Sequence, residues 1–202
     1  MLASCSDDDD GPAGPDPMAP EGVVTLDLSS DTGVLNLAYA LEQLEAAFYT
    51  RVVDGFPGSN LSGPEQEALT DIRNHEVIHR DFLAAVLGSA RIPNLALDFG
   101  SVDFADRVSV LSTARALEDG GVAAYNGAGK LLSDVDNLLV AGKIVSVEAR
   151  HAAAVRDLLR PGTRDFAGDD VVNPAGLDQA TEPGFVIEGN LEFIMTPIRV
   201  VS

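Results

Sequence analysis

The stretch NHEVIHRDF, residues 74–82, interrupts a pattern that its neighbours keep. Leu69, Ile72, Leu83 and Val86 recur at the steps of three and four that mark one face of an α-helix. Carried through, the same steps fall on Glu76 and His79. A carboxylate buried alone is costly or is neutralised by protonation, so a seam that points one inward must compensate it there.

Working outward, Ser62 with Glu65 forms a capping-box pattern, Pro64 suits a first turn, and Gly88 follows the last apolar residue, so this helix is predicted over 64–87. Ser29, Ser30 and Asp31 offer N-caps for an earlier helix running to Asp54. GFPGSNLSGP (55–64) joins the two tightly. Residues 89–103 carry Pro93 and no clear period, and read as a long connection. A third helix is predicted over 104–132 and a fourth from the Ser133-Asp134 turn to Leu159, stopped by Pro161-Gly162. Two tight helical hairpins separated by one long crossover give an all-α, antiparallel four-helix bundle.

The four seams repeat one theme. The first reads Leu35, Ala38, Glu42, Glu45, Tyr49, Val52, and the second Leu69, Ile72, Glu76, His79, Leu83, Val86. The third reads Leu111, Ala114, Glu118, Gly121, Tyr125, Ala128, and the fourth Ala141, Ile144, Glu148, His151, Val155, Leu158. Each carries Glu third. The second and fourth follow it with His, and the first and third place Tyr two turns beyond it. LEQLEAAFY (41–49) echoes LEDGGVAAY (117–125), and EVIH (76–79) echoes EARH (148–151), at offsets of 76 and 72 residues. The chain reads as an internal duplication. Four inward carboxylates repel one another, and Arg51, Arg73, Arg80, Arg150 and Arg156 lie off the seams. Two divalent cations would balance four carboxylates with both His neutral, and oxygen with imidazole donors suits iron, manganese or zinc. The other reading is that the phase is wrong and the Glu side chains are solvated.

As a set, LEQLEAAFY, NHEVIHRDFL, LEDGGVAAYNGA and VEARHAAAV resemble the ferritin-like superfamily, in particular the bacterial and archaeal ferritin-like proteins labelled desiccation-related. The resemblance covers about residues 31–160. It implies a dinuclear centre in which Glu76 and Glu148 bridge, Glu42 and Glu118 are terminal ligands, His79 and His151 each supply a nitrogen, and Tyr49 and Tyr125 donate to the carboxylates. Iron is the first expectation for the two ions, manganese the next, and zinc is compatible. The implied activity is oxidoreductase chemistry of peroxidase, catalase or ferroxidase type, with dioxygen or hydrogen peroxide as oxidant, in oxidative or desiccation stress. The alternative is a non-catalytic structural or metal-binding member.

Glu45 departs from the symmetry, since its mate is Gly121. Rubrerythrin-like proteins carry an extra carboxylate near a terminal Glu, although on the third helix. Glu45 is accordingly a candidate ligand or proton relay, the plain alternative being a side chain turned to water at the bundle end. His75 lies about 100° round the helix from Glu76, which suits a surface or interhelical role better than ligation. Gly120-Gly121 inside a helix is costly and suggests close packing, or a π-bulge beside Glu118.

Composition narrows the partners. With 13 Lys and Arg against 32 Asp and Glu, the formal charge of -19 argues against nucleic acid and against electrostatic attachment to anionic lipid. No apolar run reaches the roughly 18 residues of a membrane helix. One cysteine allows no intrachain disulfide and no rubredoxin-type cluster, so reducing electrons must come from an external donor. Leu2-Ala3-Ser4-Cys5 resembles the end of a lipoprotein signal and precedes an acidic, Gly- and Pro-rich segment. The expectation is a tether over 1–28, lipid-anchored through Cys5 in the cell envelope, or a cytoplasmic protein if that match is chance. The bundle is expected over 29–160. A loop-rich C-terminal extension over 161–202, with a short helix near 187–194, is expected to pack on it. A homodimer is allowed.

Overall fold

The computed structural model describes residues 22–189 and 192–201. Cys5 and the acidic run therefore lie outside the described residues, as does Leu191. Strand β1 (Val24–Asp27) leads into helices α1 (Asp31–Gly55), α2 (Gly63–Leu87), α3 (Arg107–Gly129) and α4 (Val135–Leu159), then a short α5 (Pro183–Gly189) and β2 (Ile198–Val201).

The starts of the helices are written in the side chains. Ser30 accepts from Gly33 N, Asp106 from Ser109 N and Asp134 from Asp136 N, while Ser62 N donates to Glu65 Oε2 at 2.7 Å. Asp106 as cap moves the start of α3 three residues beyond the expected 104, and α3 stops at Gly129 rather than 132. Gly88, at φ 53°, takes a positive-φ conformation that glycine adopts without strain, and closes α2. α1 packs along α2 and α3 along α4, the two hairpins that the short links dictate.

α1 is buried on nearly every side, from Gly33 to Phe48 with few breaks. The crossover explains it. Asn36 Oδ1 accepts from Ile92 N at 2.7 Å, and Gln43 Oε1, two turns later, accepts from Leu95 N at 2.8 Å. These two amides lay the connection along the back of α1. The C-terminal extension covers it in turn, with Asp98 N donating to Phe193 O and Met195 N to Ala96 O.

Three expectations need correction. The tether expected over 1–28 does not extend to residue 28, because Val24–Asp27 pair in parallel with Ile198–Val201, with Val24 and Leu26 buried. The alternation in VTLDL is the strand period, and its partner is supplied by the far end of the chain. The short C-terminal helix lies at Pro183–Gly189, earlier than 187–194, because Pro183 suits a first turn. Val86 is 50% exposed and Leu87 fills its place, a drift of one residue at the end of α2.

The extension is locked on by close approach. Thr181 N donates to Ala123 O inside α3, and a Cβ on Gly127 would lie 1.9 Å from Thr181 O. Gly127→Ala is therefore expected to destabilise the protein by about 1–3 kcal/mol through overpacking, against the helix-propensity gain. Gly120→Ala, with nothing within 4 Å of its Cβ, should stabilise by up to about 1 kcal/mol. Chemical denaturation midpoints of the two variants check the opposite signs.

Candidate metal centre

Glu42, Glu76, Glu118 and Glu148 are each 0% exposed, which disposes of the solvated reading of the four carboxylates. They meet at mid-bundle because each occupies the seam of a different helix. Two tyrosines hold the outer pair. Tyr125 Oη donates to Glu42 Oε1 and Tyr49 Oη to Glu118 Oε1, both at 2.5 Å, a reciprocal exchange between α1 and α3. Each of these carboxylates has its other oxygen free of hydrogen bonds, as do both oxygens of Glu76 and Glu148 and the Nδ1 atoms of His79 and His151.

These unpartnered atoms divide four and four. His79 Nδ1 lies 3.4 Å from Glu42 Oε2, 3.6 Å from Glu76 Oε2 and 2.8 Å from Glu148 Oε1. His151 Nδ1 lies 2.7 Å from Glu76 Oε1, 3.7 Å from Glu118 Oε2 and 3.6 Å from Glu148 Oε2. The short approaches lack hydrogen-bond direction, so lone pairs converge on a common point. Metal–donor bonds of roughly 2.0–2.2 Å place neighbouring donors about 2.8–3.6 Å apart, close to the 2.7–3.7 Å spanned by the two groups. Either group can hold a metal ion, and the two share Glu76 and Glu148. The donor set fits a hard or borderline divalent cation. Buried acceptors without partners are otherwise among the most expensive features a core can contain.

Without metal the centre holds protons instead. Burial, aided by the charge of Glu148, keeps Glu42 well above the ordinary carboxylate range; burial with Glu76 does the same to Glu118. Burial also opposes the charge on His79, yet Glu148, Glu42 and Glu76 outweigh it and push the imidazole to about 12. His151, likewise desolvated, is pushed to about 9 by Glu148 and Glu76. Burial would raise Glu76, but His151 and His79 draw it down to about 2.

Glu45 belongs to neither donor group. It is 2% exposed, so it does not turn to water at the bundle end. Burial and then the charge of Glu148 hold its carboxyl far above its usual range, as a neutral acid. Gly121 makes its room, since a Cβ there would lie 2.8 Å from Glu45 Oε1. This accounts for one of the paired helix glycines. α3 runs through them as an unbroken α-helix, without a π-bulge.

His75 is the residue whose part sequence reasoning left open. It belongs to neither donor group, but its Nδ1 lies 2.9 Å from His151 Nε2 and the two rings are nearly parallel, 8° apart. Were His151 Nδ1 to face a cation, its Nε2–H would donate to His75, and that bond would fix the tautomer and the ring. The signal was present in the phase: a residue 100° off the seam faces the neighbouring helix.

Comparison with curated proteins returns no match. The family model described as ferritin-like domain matches residues 30–161, which span the four long helices that carry the centre. The chain belongs to the ferritin-like domain family.

Proposed function

We propose that the chain is a dinuclear carboxylate redox protein that reacts with dioxygen or hydrogen peroxide. The observation behind this reading is the division of eight unpartnered buried atoms of Glu42, Glu76, His79, Glu118, Glu148 and His151 into two groups of four that share Glu76 and Glu148. Glu42 with His79 would hold one ion, Glu118 with His151 the other, and the shared pair both. Iron is the first choice and manganese the second. A pair of such ions would supply two electrons, enough to take dioxygen to hydrogen peroxide, or hydrogen peroxide to water, with two protons consumed in either case.

The protein's own groups have separate tasks. Tyr125 and Tyr49 fix the outer carboxylates by their hydroxyl hydrogen bonds. Glu45 holds a proton within the water-poor core, as a donor to the oxidant while it is reduced. His75 steadies His151. The apolar layers above and below exclude bulk water. Reducing electrons come from an external donor. By resemblance, the setting is oxidative or desiccation stress in the cell envelope, with the chain anchored through Cys5.

Metal analysis of the purified protein, followed by loading with Fe(II) and stopped-flow exposure to each oxidant, tests the reading. Two irons per chain, oxidised faster than free Fe(II), are expected. Two tightly held zinc ions that resist exchange, and no oxidation, would instead favour a structural metal-binding protein.

A further inference from the structure

The internal duplication is unequal in the layers that flank the centre. On one side, Tyr49, Val52, Leu69, Leu111 and Val155 are fully buried and pack closely with the neighbouring Phe48. On the other, the mates of Phe48, Val52 and Leu69 are Ala124, Ala128 and Ala141, at the same offsets of 76 and 72 residues. Three large side chains have become methyl groups, and the space has not collapsed. A pocket of about 20 Å³, measured to the centre of a water-sized sphere, lies there among all four long helices. It has room for about one water-sized molecule.

Its chemistry selects what enters. Thirteen of its fourteen lining residues are Val, Leu, Ile, Ala or Gly. The exception is Tyr125, whose hydroxyl proton is committed to Glu42. A water needs two to four polar partners, and an apolar pocket of this kind favours apolar guests over water. Hydrogen peroxide, with two donors and four lone pairs, would lose its hydrogen bonds on entry. Dioxygen is small, apolar and loses none. The pocket also adjoins one half of the centre. Ala38 and Leu41 precede Glu42 by a turn or less, Leu83 follows His79 by one turn, and Ile144 precedes Glu148 by one turn.

We propose that this pocket is a binding site for a small apolar gas, dioxygen, held against the Glu42–His79 half of the centre and closed to peroxide. The delivery role rests on the redox reading above; the gas site itself does not. The test restores the packing of the opposite layer with Ala128→Val and Ala141→Leu, singly and together. Xenon-pressurised crystals of the zinc-loaded protein, in which redox chemistry plays no part, should show xenon in the native pocket and none in the double variant. With iron loaded and metal content unchanged, the double variant should need about tenfold more dioxygen for half-maximal oxidation, the scale on which methylene-sized changes in a pocket discriminate. Its rate with peroxide should match the native rate. A native pocket without xenon overturns the site. Xenon lost with the dioxygen dependence unmoved, or dioxygen and peroxide rates falling together, overturns the delivery role. Iron indifferent to dioxygen in the native chain, with xenon still bound, overturns the redox reading and leaves the gas site standing.

Discussion

Glu148→Ala is expected to empty both metal positions, whereas Glu42→Ala and Glu118→Ala should each empty one. The asymmetry follows from geometry. Glu148 presents Oε1 to the His79 group and Oε2 to the His151 group, and neither oxygen has another partner. Glu42 and Glu118 each present a single oxygen, the other being taken by a tyrosine. Loss of a supporting residue beside a metal ligand costs about 10–100-fold in affinity, so loss of a direct, shared donor should exceed about 100-fold at both positions. Tyr125→Phe and Tyr49→Phe belong in the lower range, each at its own position. Equilibrium dialysis with metal analysis reads all five variants, with circular dichroism to confirm helix content. Two ions retained by Glu148→Ala would refute the shared-donor arrangement. One ion lost from Glu148→Ala but two from Glu42→Ala would reverse the assignment of inner and outer carboxylates.

What made the centre legible was phase. A helix returns to the same face after steps of three and four, so six polar residues in register with apolar neighbours declared their direction before any coordinates. The duplication then supplied a second reading of every position. Glu45 and Gly121 were legible as a break in symmetry, but their relation was not. That a Cβ at 121 would strike Glu45 Oε1 is a distance between two helices, and one helix's period carries no such information. The same holds for His75, whose backbone position was correctly off the seam while its contact with His151 depends on how α2 and α4 are aligned. The strand pair was the hardest to see. Val24–Asp27 is four residues long, follows an acidic Gly- and Pro-rich stretch, and finds its partner at the opposite terminus; short strands are defined by pairing, and pairing here is entirely non-local. The near-total burial of α1 had a visible cause in LNLAYALEQLEAAFY, which lacks a polar face. It required a covering layer, and the crossover supplies it through Asn36 and Gln43.

The metal-free protein should lose stability as pH rises, and metal should reverse the slope. His79 and His151 in the folded chain stand at about 12 and about 9, above the 6.5 of an unperturbed imidazole. Groups raised in this way stabilise the fold fully below pH 6.5, and the contribution falls away as pH climbs through 9 and beyond. Glu42, Glu45 and Glu118 are raised as well, mainly by burial, so their contribution is complete below about pH 4.5 and declines above it. Glu76, drawn down to about 2, works oppositely, but its stabilisation is lost only as pH falls through that value. Between pH 5 and 9 the signs therefore agree, and the melting temperature of metal-free protein should drop steadily. A bound cation replaces these protons, so its affinity grows with pH as they leave. At about a thousandfold excess over its dissociation constant a ligand adds about 4 kcal/mol, which for a chain of this size is about 8–16 °C in Tm. The gap between loaded and metal-free Tm should consequently be smallest near pH 5 and widest near pH 9. Calorimetry of both forms across that range decides it. A metal-free Tm that rises with pH, or a gap that stays constant, would mean that the buried carboxylates and imidazoles do not exchange protons for metal.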